Sequence, residues 1–310
     1  MADPTFRPGV HMRVASSRFV SLLAAVVLAA AGLGAVSGCG SQQRAGGSQE
    51  EPAQRARKVA AAWHGSAASA AWRAGYHPMG EVFQLPRGGL RSKADMQAYQ
   101  AQSFVLRGRL PATWPKSGRV AWAGGESLTR PLTGVDESYN SLAGGRKGGK
   151  PSLAVTGAKL GEMRVDTSRG PAVVPAWLFT LDGYDSPLKQ AAAVPSKLPQ
   201  PPIKRARNVP GYPLDRLVQI SADGRSVTVV TLQGACDSSP NVHAWETSDG
   251  VVLSADVTGK KHDGVCTKQG KLRQVTVKLD RPIRDRVLLD AITGRPVAFE
   301  PLHGPSPSWS

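Results

Sequence analysis

LAVTGAKLGEMRV at 153–165, DTSRG at 166–170 and VVPAWLFTL at 173–181 decide how the chain is read. Two strand-like runs flank a join made of turn formers, which predicts an antiparallel hairpin. On the return strand Val173, Trp177, Phe179 and Leu181 share one parity and so one face. Pro175 cannot donate to a ladder, which places it at an edge or a bulge.

Working toward the N-terminus, strand-like runs occupy Phe104 to Leu110 and Arg119 to Ala123, and the Gly-rich residues 124–151 read as a long exposed loop. Further back, Val59, Trp63, Ala67 and Ala70 make one helical stripe that Gly75 and Pro78 stop. Trp72 falls on the far side of that wheel, so the helix buries two faces or breaks near Gly65. A second helix is expected from Lys93 to Gln100.

Toward the C-terminus, six prolines between Pro195 and Pro213 describe a stiff connector of the kind that separates domains. Beyond it come strand runs at Leu217–Ile220, Val227–Leu232, Val242–Thr247, Val251–Val257, Gln274–Asp280, Val287–Leu289 and Val297–Phe299, with turn signals at Asp223-Gly224 and Asp249-Gly250. The fold class is therefore α+β and mainly β. An N-terminal helix with antiparallel strands is followed by a disulfide-bonded antiparallel sandwich-like domain. The length of 310 residues fits about two domains, and 41% hydrophobic, 20% charged composition with 34 Gly and 24 Pro excludes collagen, coiled coil and a multi-span membrane protein.

Phe19 to Val36 is an uncharged, apolar run of eighteen residues preceded by Arg13 and Arg18, the outline of a secretion signal. A bilayer span of that length is the competing reading. The run ends Val36-Ser37-Gly38-Cys39, which resembles the lipobox of bacterial lipoproteins. That resemblance implies a diacylglycerol thioether on Cys39, cleavage after Gly38, and a body moored at the extracytoplasmic face of the cell membrane. Translation starting at Met1 or at Met12 serves equally. The expected layout is a lipoprotein signal at 1–38, a flexible tether at 39–51, a mixed α+β domain at 52–198, a Pro-rich linker at 199–213, a β domain at 214–300 and a disordered tail at 301–310. Two further stretches, Lys278–Ile283 with Asp290–Val297, and Arg169-Gly170 with Val174–Trp177, resemble segments of actinobacterial secreted lipoproteins of unassigned function. No functional residue transfers with that likeness.

With Cys39 given to lipid, Cys236 and Cys266 remain as an even pair in an oxidising compartment, and a disulfide is the expectation. The loop of about 30 residues would be stabilised by roughly 3.7 kcal/mol on the chain-entropy model. The rival is a zinc site from Cys236, His243, His262 and Cys266, whose spacings lack the usual close cysteine knuckle.

Formal charge is +16, and the leader's Arg7, Arg13 and Arg18 against Asp3 leave +14 from Cys39 onward. Export argues against nucleic acid as the partner of the clusters Arg146, Lys147, Lys150 and Lys204, Arg205, Arg207. Anionic lipid headgroups and anionic wall polymers are the nearer candidates, with a merely solvated surface as the plain alternative.

Signatures of catalysis are thin. Ser186-Pro187-Leu188-Lys189 fits a Ser-x-x-Lys helix start, but the companion Lys-Thr-Gly is missing and Thr258-Gly259-Lys260 runs in reverse. Histidines at 64, 77, 243, 262 and 303 never pair at helical spacing, which excludes a zincin. Asp182 and Asp185 could share a calcium on a turn, although the liganding rhythm is absent, and Asp285, Arg286 and Asp290 suggest a structural ion-pair network. No cofactor, metal or catalytic residue is assigned. The sequence thus favours a lipid-anchored protein with a non-enzymatic binding or regulatory role at the envelope, its groove edged by Trp114, Trp122 and Trp177. The alternative is a wall-acting hydrolase with carboxylates drawn from separate loops.

Overall fold

Residues 52–74 fold as two helices. Pro52–Trp63 forms α1, opened by Pro52 with its fixed φ. Gly65, at φ +65°, adopts the left-handed turn that a side chain would oppose. Ser66 then caps α2 (Ala67–Ala74), its hydroxyl accepting from Ser69 N at 3.1 Å. The break lets Trp63 and Trp72 both face one core, which a single straight helix would not allow.

The computed structural model describes residues 50–144, 149–256, 267 and 269–302. Cys39 with the lipobox and most of the tether, His262, Cys266 and the tail from His303 lie outside these, as does the cluster's Arg146 and Lys147. Residues 47–310 form one compact unit.

After α2 the chain gives β1 (Phe83–Gln84), then α3 (Lys93–Gln100), whose bounds match the expectation and whose cap is Ser92 accepting from Asp95 N at 3.0 Å. Strands β2 (Phe104–Arg109) and β3 (Ser117–Trp122) follow. Next come β4 (Ser127–Pro131) and α4 (Val135–Leu142), both inside the stretch read as a loop. Val135, Ser138 and Leu142 are buried and Asp136 and Glu137 occupy the first turn of α4, where negative charge suits the helix dipole. The decisive hairpin is β5 (Leu153–Thr167) and β6 (Gly170–Leu181), followed by β7 (Leu188–Ala191).

These seven strands make one sheet with β6 at its heart. One edge of β6 pairs with β5 along its whole length, from Thr167↔Gly170 to Val155↔Leu181. The other edge is shared by β3, at Ala172 and Val173, and β7, from Ala176 to Phe179. Pro175 falls in the gap between those two neighbours, and its carbonyl accepts from Ala192 N at 2.8 Å. The proline is thus in an interior strand, not at an edge or a bulge, at the one register where a missing N–H leaves no strand unpaired.

The second half contributes β8 (Leu214–Ile220), β9 (Ser226–Gly234), β10 (Asn241–Glu246), β11 (Gly250–Asp256), β12 (Gly270–Lys278) and β13 (Val287–Asp290). They form two three-stranded sheets, β12-β9-β8 and β10-β11-β13. Every residue from Gly250 to Ala255 is buried, so β11 is covered on both faces. The helices α1 and α2 pack in the same core as Val252 and Leu253, together with Leu217, Val227, Val229 and Val277 of the other sheet. Ser254 Oγ donates to Pro52 O at 3.5 Å on the helix side.

The fold is mainly β with antiparallel and mixed sheets. A purely antiparallel arrangement does not occur, since β2 runs parallel to β5 and β13 parallel to β11. Residues 297–299 are not a strand but are held by single bonds, Val297 N to Leu288 O and Leu217 N to Ala298 O, both 2.8 Å. The Pro-rich run is also tied to the body. Ser196 N donates to Tyr76 O at 2.7 Å, Ala206 N to Ile292 O at 2.8 Å, and Leu198 and Ile203 pack on the second core.

Candidate functional site

The β5–β6 turn, the end of β8 and the loop that follows β12 converge on a cleft of about 980 Å³. One wall is the segment Met79–Glu81 laid along the hairpin end, where Met79 N donates to Asp166 O at 2.8 Å. Gly80 permits that approach, because a side chain there would start 3.2 Å from Asp166 Cβ. The opposite wall is the Ser221–Gly224 turn together with Pro282–Asp285, stitched by Ile283 N donating to Gly224 O at 2.9 Å. Buried Phe299 closes the floor and exposed Leu302 stands at the rim.

The rim is charged with both signs. Arg169 is fixed, paired with Glu126 and lying 3.9 Å over the Trp122 ring. Trp122 in turn donates from Nε1 to Thr167 Oγ1 at 3.0 Å. Partial desolvation against its neighbours raises the Glu81 carboxyl above its usual range, although the residue as a whole is exposed. Asp223 is held below its range by the Ser221 hydroxyl at 2.6 Å and by Arg225 N at 3.0 Å. Arg284 sits at φ +43°, a conformation that costs a non-glycine residue of order 1 kcal/mol and tends to mark functional positions.

Of the residues singled out from sequence, Asp285 lines this cleft and the tryptophans, Ser186, Asp182 and Asp185 do not. Trp177 is a core residue whose Nε1 donates to Thr133 O at 2.9 Å, and Trp114 meets it edge to face at 6.1 Å. Trp122 supports the cleft from behind without lining it. Ser186 accepts from Arg87 N at 2.6 Å and precedes a strand, so it has none of the helix start that its motif requires. Asp182 and Asp185 turn to different arginines, Arg107 at 3.7 Å and Arg91 at 3.4 Å.

Arg286 also departs from the expected network. Its partner is Glu246, at 2.7 Å, while the same guanidinium donates to Arg281 O and Pro282 O. Asp290, buried and with its carboxyl pushed up by that burial, organises the turn to Arg295 through Thr293 N at 2.8 Å and Thr293 Oγ1 at 2.5 Å. His243 lies 3.3 Å from Asp256, and among the described residues no group of three or more His, Cys, Asp or Glu is placed to hold a metal. His64 Nδ1 meets Asp249 Oδ2 at 2.6 Å on the surface. Among the described residues no helix is long and apolar enough to cross a membrane.

Sequence reasoning missed Glu81, Arg169 and Arg284 because the cleft is assembled from five separate segments. The positive φ at Arg284 has no local signature in Pro282-Ile283-Arg284-Asp285. No family model, curated protein or solved structure matches the chain.

Proposed function

We propose that this is a lipid-anchored extracytoplasmic protein that binds a ligand or partner in the cleft between Met79–Glu81 and Pro282–Asp285, without transforming it. The Val36–Cys39 lipobox supports the anchor. The observation that carries the binding role is the cleft's chemistry. Its rim mixes Glu81, Asp166, Asp223 and Asp285 with Arg169 and Arg284, and among the described residues no histidine, cysteine or lysine lines it. A serine nucleophile needs a base within reach. Ser221, on the cleft wall, has its hydroxyl engaged with Asp223 and with the backbone of Ser226, and holds the turn.

One observation favours a wall-acting hydrolase instead. The Glu81 carboxyl is shifted upward, the direction a general acid needs, and Asp166 lines the same cleft. Incubation of the purified protein with wall glycan decides between the two. Binding alone leaves no soluble sugar. Release of sugar that Glu81→Gln abolishes replaces the binding reading with the enzymatic one.

The Cys236–Cys266 disulfide belongs to the same proposal. Cys236 is not a free thiol, and the β9–β12 ladder draws the flanking residues together, with Gly234 opposite Gly270 and Ala235 N donating to Gln269 O at 2.9 Å. Intact mass of the membrane-extracted chain tests both assignments. Diacylglycerol on a chain beginning at Cys39, with the gain of two hydrogens on reduction, is the expected result. An unmodified full-length chain overturns the anchor, and a mass unchanged by reductant overturns the bond.

A further inference from the structure

We infer that the loop carrying Lys204, Arg205 and Arg207, joined by Arg295 from the Asp290–Arg295 turn, is the face that this protein lays on the anionic lipid headgroups of the membrane to which it is anchored. The inference rests on the lipobox reading and deepens it by naming the surface in contact.

Three observations place the four cations together. A hollow of about 460 Å³ is lined by Ile203, Lys204, Arg205, Thr293 and Arg295, and a neighbouring one of about 710 Å³ by Lys204, Arg205, Ala206 and Arg207. Both loops are held from beneath. Buried Arg55 of α1 donates to Lys204 O at 2.6 Å and to Ala291 O at 2.9 Å. Trp63 Nε1 donates to Gly294 O at 2.8 Å, and Gly294 lies close against Ile203. All four side chains are exposed, and among the described residues no carboxylate is paired with any of them.

The same face receives the tether. Glu50 N donates to Asn208 O at 3.0 Å, immediately beside Arg207. Glu50 itself is paired with Lys58 at 2.9 Å, so its charge is spent within the body. The ten residues between Cys39 and Glu50 reach at most about 40 Å. A body of this length is about 45 Å across. The surface around Glu50 is therefore the one that the anchor keeps nearest the bilayer, and it is also where four unpaired cations stand on rigid loops. Each basic residue within a Debye length of an anionic leaflet is attracted to it, and tethering raises the local concentration of headgroups at the patch.

The test uses residues 47–310, which contain both hydrophobic cores whole and carry no acyl chain. Its outcome is thus independent of what is attached to Cys39, which intact mass decides separately. Binding is measured to phosphatidylcholine vesicles with and without roughly a third phosphatidylglycerol at low ionic strength, where surface attraction is strongest. The expected result is binding to the anionic vesicles only, weakened more than about tenfold in K204Q/R205Q/R207Q/R295Q. The control K93Q/R109Q/R119Q/K159Q, which removes equal charge from the other half of the molecule, should change binding by less than about twofold. Thermal unfolding of both variants checks that they are folded. Equal loss in the two variants, no binding to either vesicle, or binding to soluble polyphosphate but not to vesicles overturns the assignment.

Discussion

The two hydrophobic cores are built by opposite means. In the first, residues between Tyr76 and Ala193 pack together, and its central strands β5 and β6 are joined by a tight turn. In the second, Ala56, Val59, Trp63 and Trp72 close over strands that begin more than a hundred residues later, at Leu214. Most of the first core's pairings are thus close in sequence, while the second is closed by its most distant elements. Such distant contacts demand that a large loop be ordered before any burial rewards it.

The severest way to break that contrast is to delete residues 47–74. Val252 and its neighbours on the helix side of β11 would then face water, and each large apolar side chain exposed costs about 1.5–3 kcal/mol. The second core would lose cooperative folding while the β5–β6 sheet keeps its protection from amide exchange. If residues 214–300 stay protected without the helices, the second core is self-sufficient and the contrast fails.

Next in size is the Arg286–Glu246 pair, whose side chains are only 5% and 12% exposed. Glu246→Gln leaves a buried guanidinium without its counter-charge, and a loss of about 3–5 kcal/mol is expected in denaturant titration. Burial alone would raise the Glu246 carboxyl, but Arg286 and the Asp280 N–H outweigh it and the net shift is downward. A carboxyl lowered in the folded state contributes stability that is complete above its unfolded value of about 4.3 and is lost as pH falls below it. That acid-dependent loss should be blunted in Glu246→Gln.

His77 sharpens the comparison, because it bridges the two halves. It is fully buried, stacks on Trp72 of the second core at 4.2 Å, and its carbonyl accepts from Ser168 N at the β5–β6 turn. Burial, with the nearby positive charge of Arg130, lowers its pKa from 6.5 to about 4. A histidine lowered in this way is neutral when folded. Stability is complete above pH 6.5 and falls by about 3 kcal/mol as the pH drops toward 4, since the unfolded chain binds the proton first. In His77→Phe the stack survives and the slope between those limits should vanish. An unchanged slope would assign the titration to another group.

Legibility followed the same divide. The bounds of α3, the hairpin at 153–181 and the break near Gly65 were readable because a cap, a turn and a parity pattern each act within a few residues. The helix α4 carried the i, i+3, i+7 burial of Val135, Ser138 and Leu142, but flanking glycines masked it. β7 follows Pro187 and has four residues, too few for a period to show. What no local pattern contains is tertiary: the use of α1 and α2 to cover β11, the parallel partner of β11, and a cleft whose walls come from Gly80, Asp166, Asp223 and Arg284. Arg286 was visible as a charge, but its partner forty residues away was not.

The smallest effect tests how far the second core depends on local signals. Ser66 is the N-cap of α2, and beyond accepting from Ser69 N it donates to Trp63 O at 2.9 Å, so one hydroxyl ties the end of α1 to the start of α2. Ser66→Ala removes both bonds at a half-exposed site where water can replace them, and a loss of about 1 kcal/mol is expected. Because Trp63 and Trp72 are anchored through other contacts, Trp63 through Gly294 and Trp72 through His77, the two helices should stay in place and the unfolding transition should keep its steepness. A loss several times larger, with a shallower transition, would mean that the inter-helix turn itself determines whether the distant strands are covered. The second core would then owe its closure to a local signal after all.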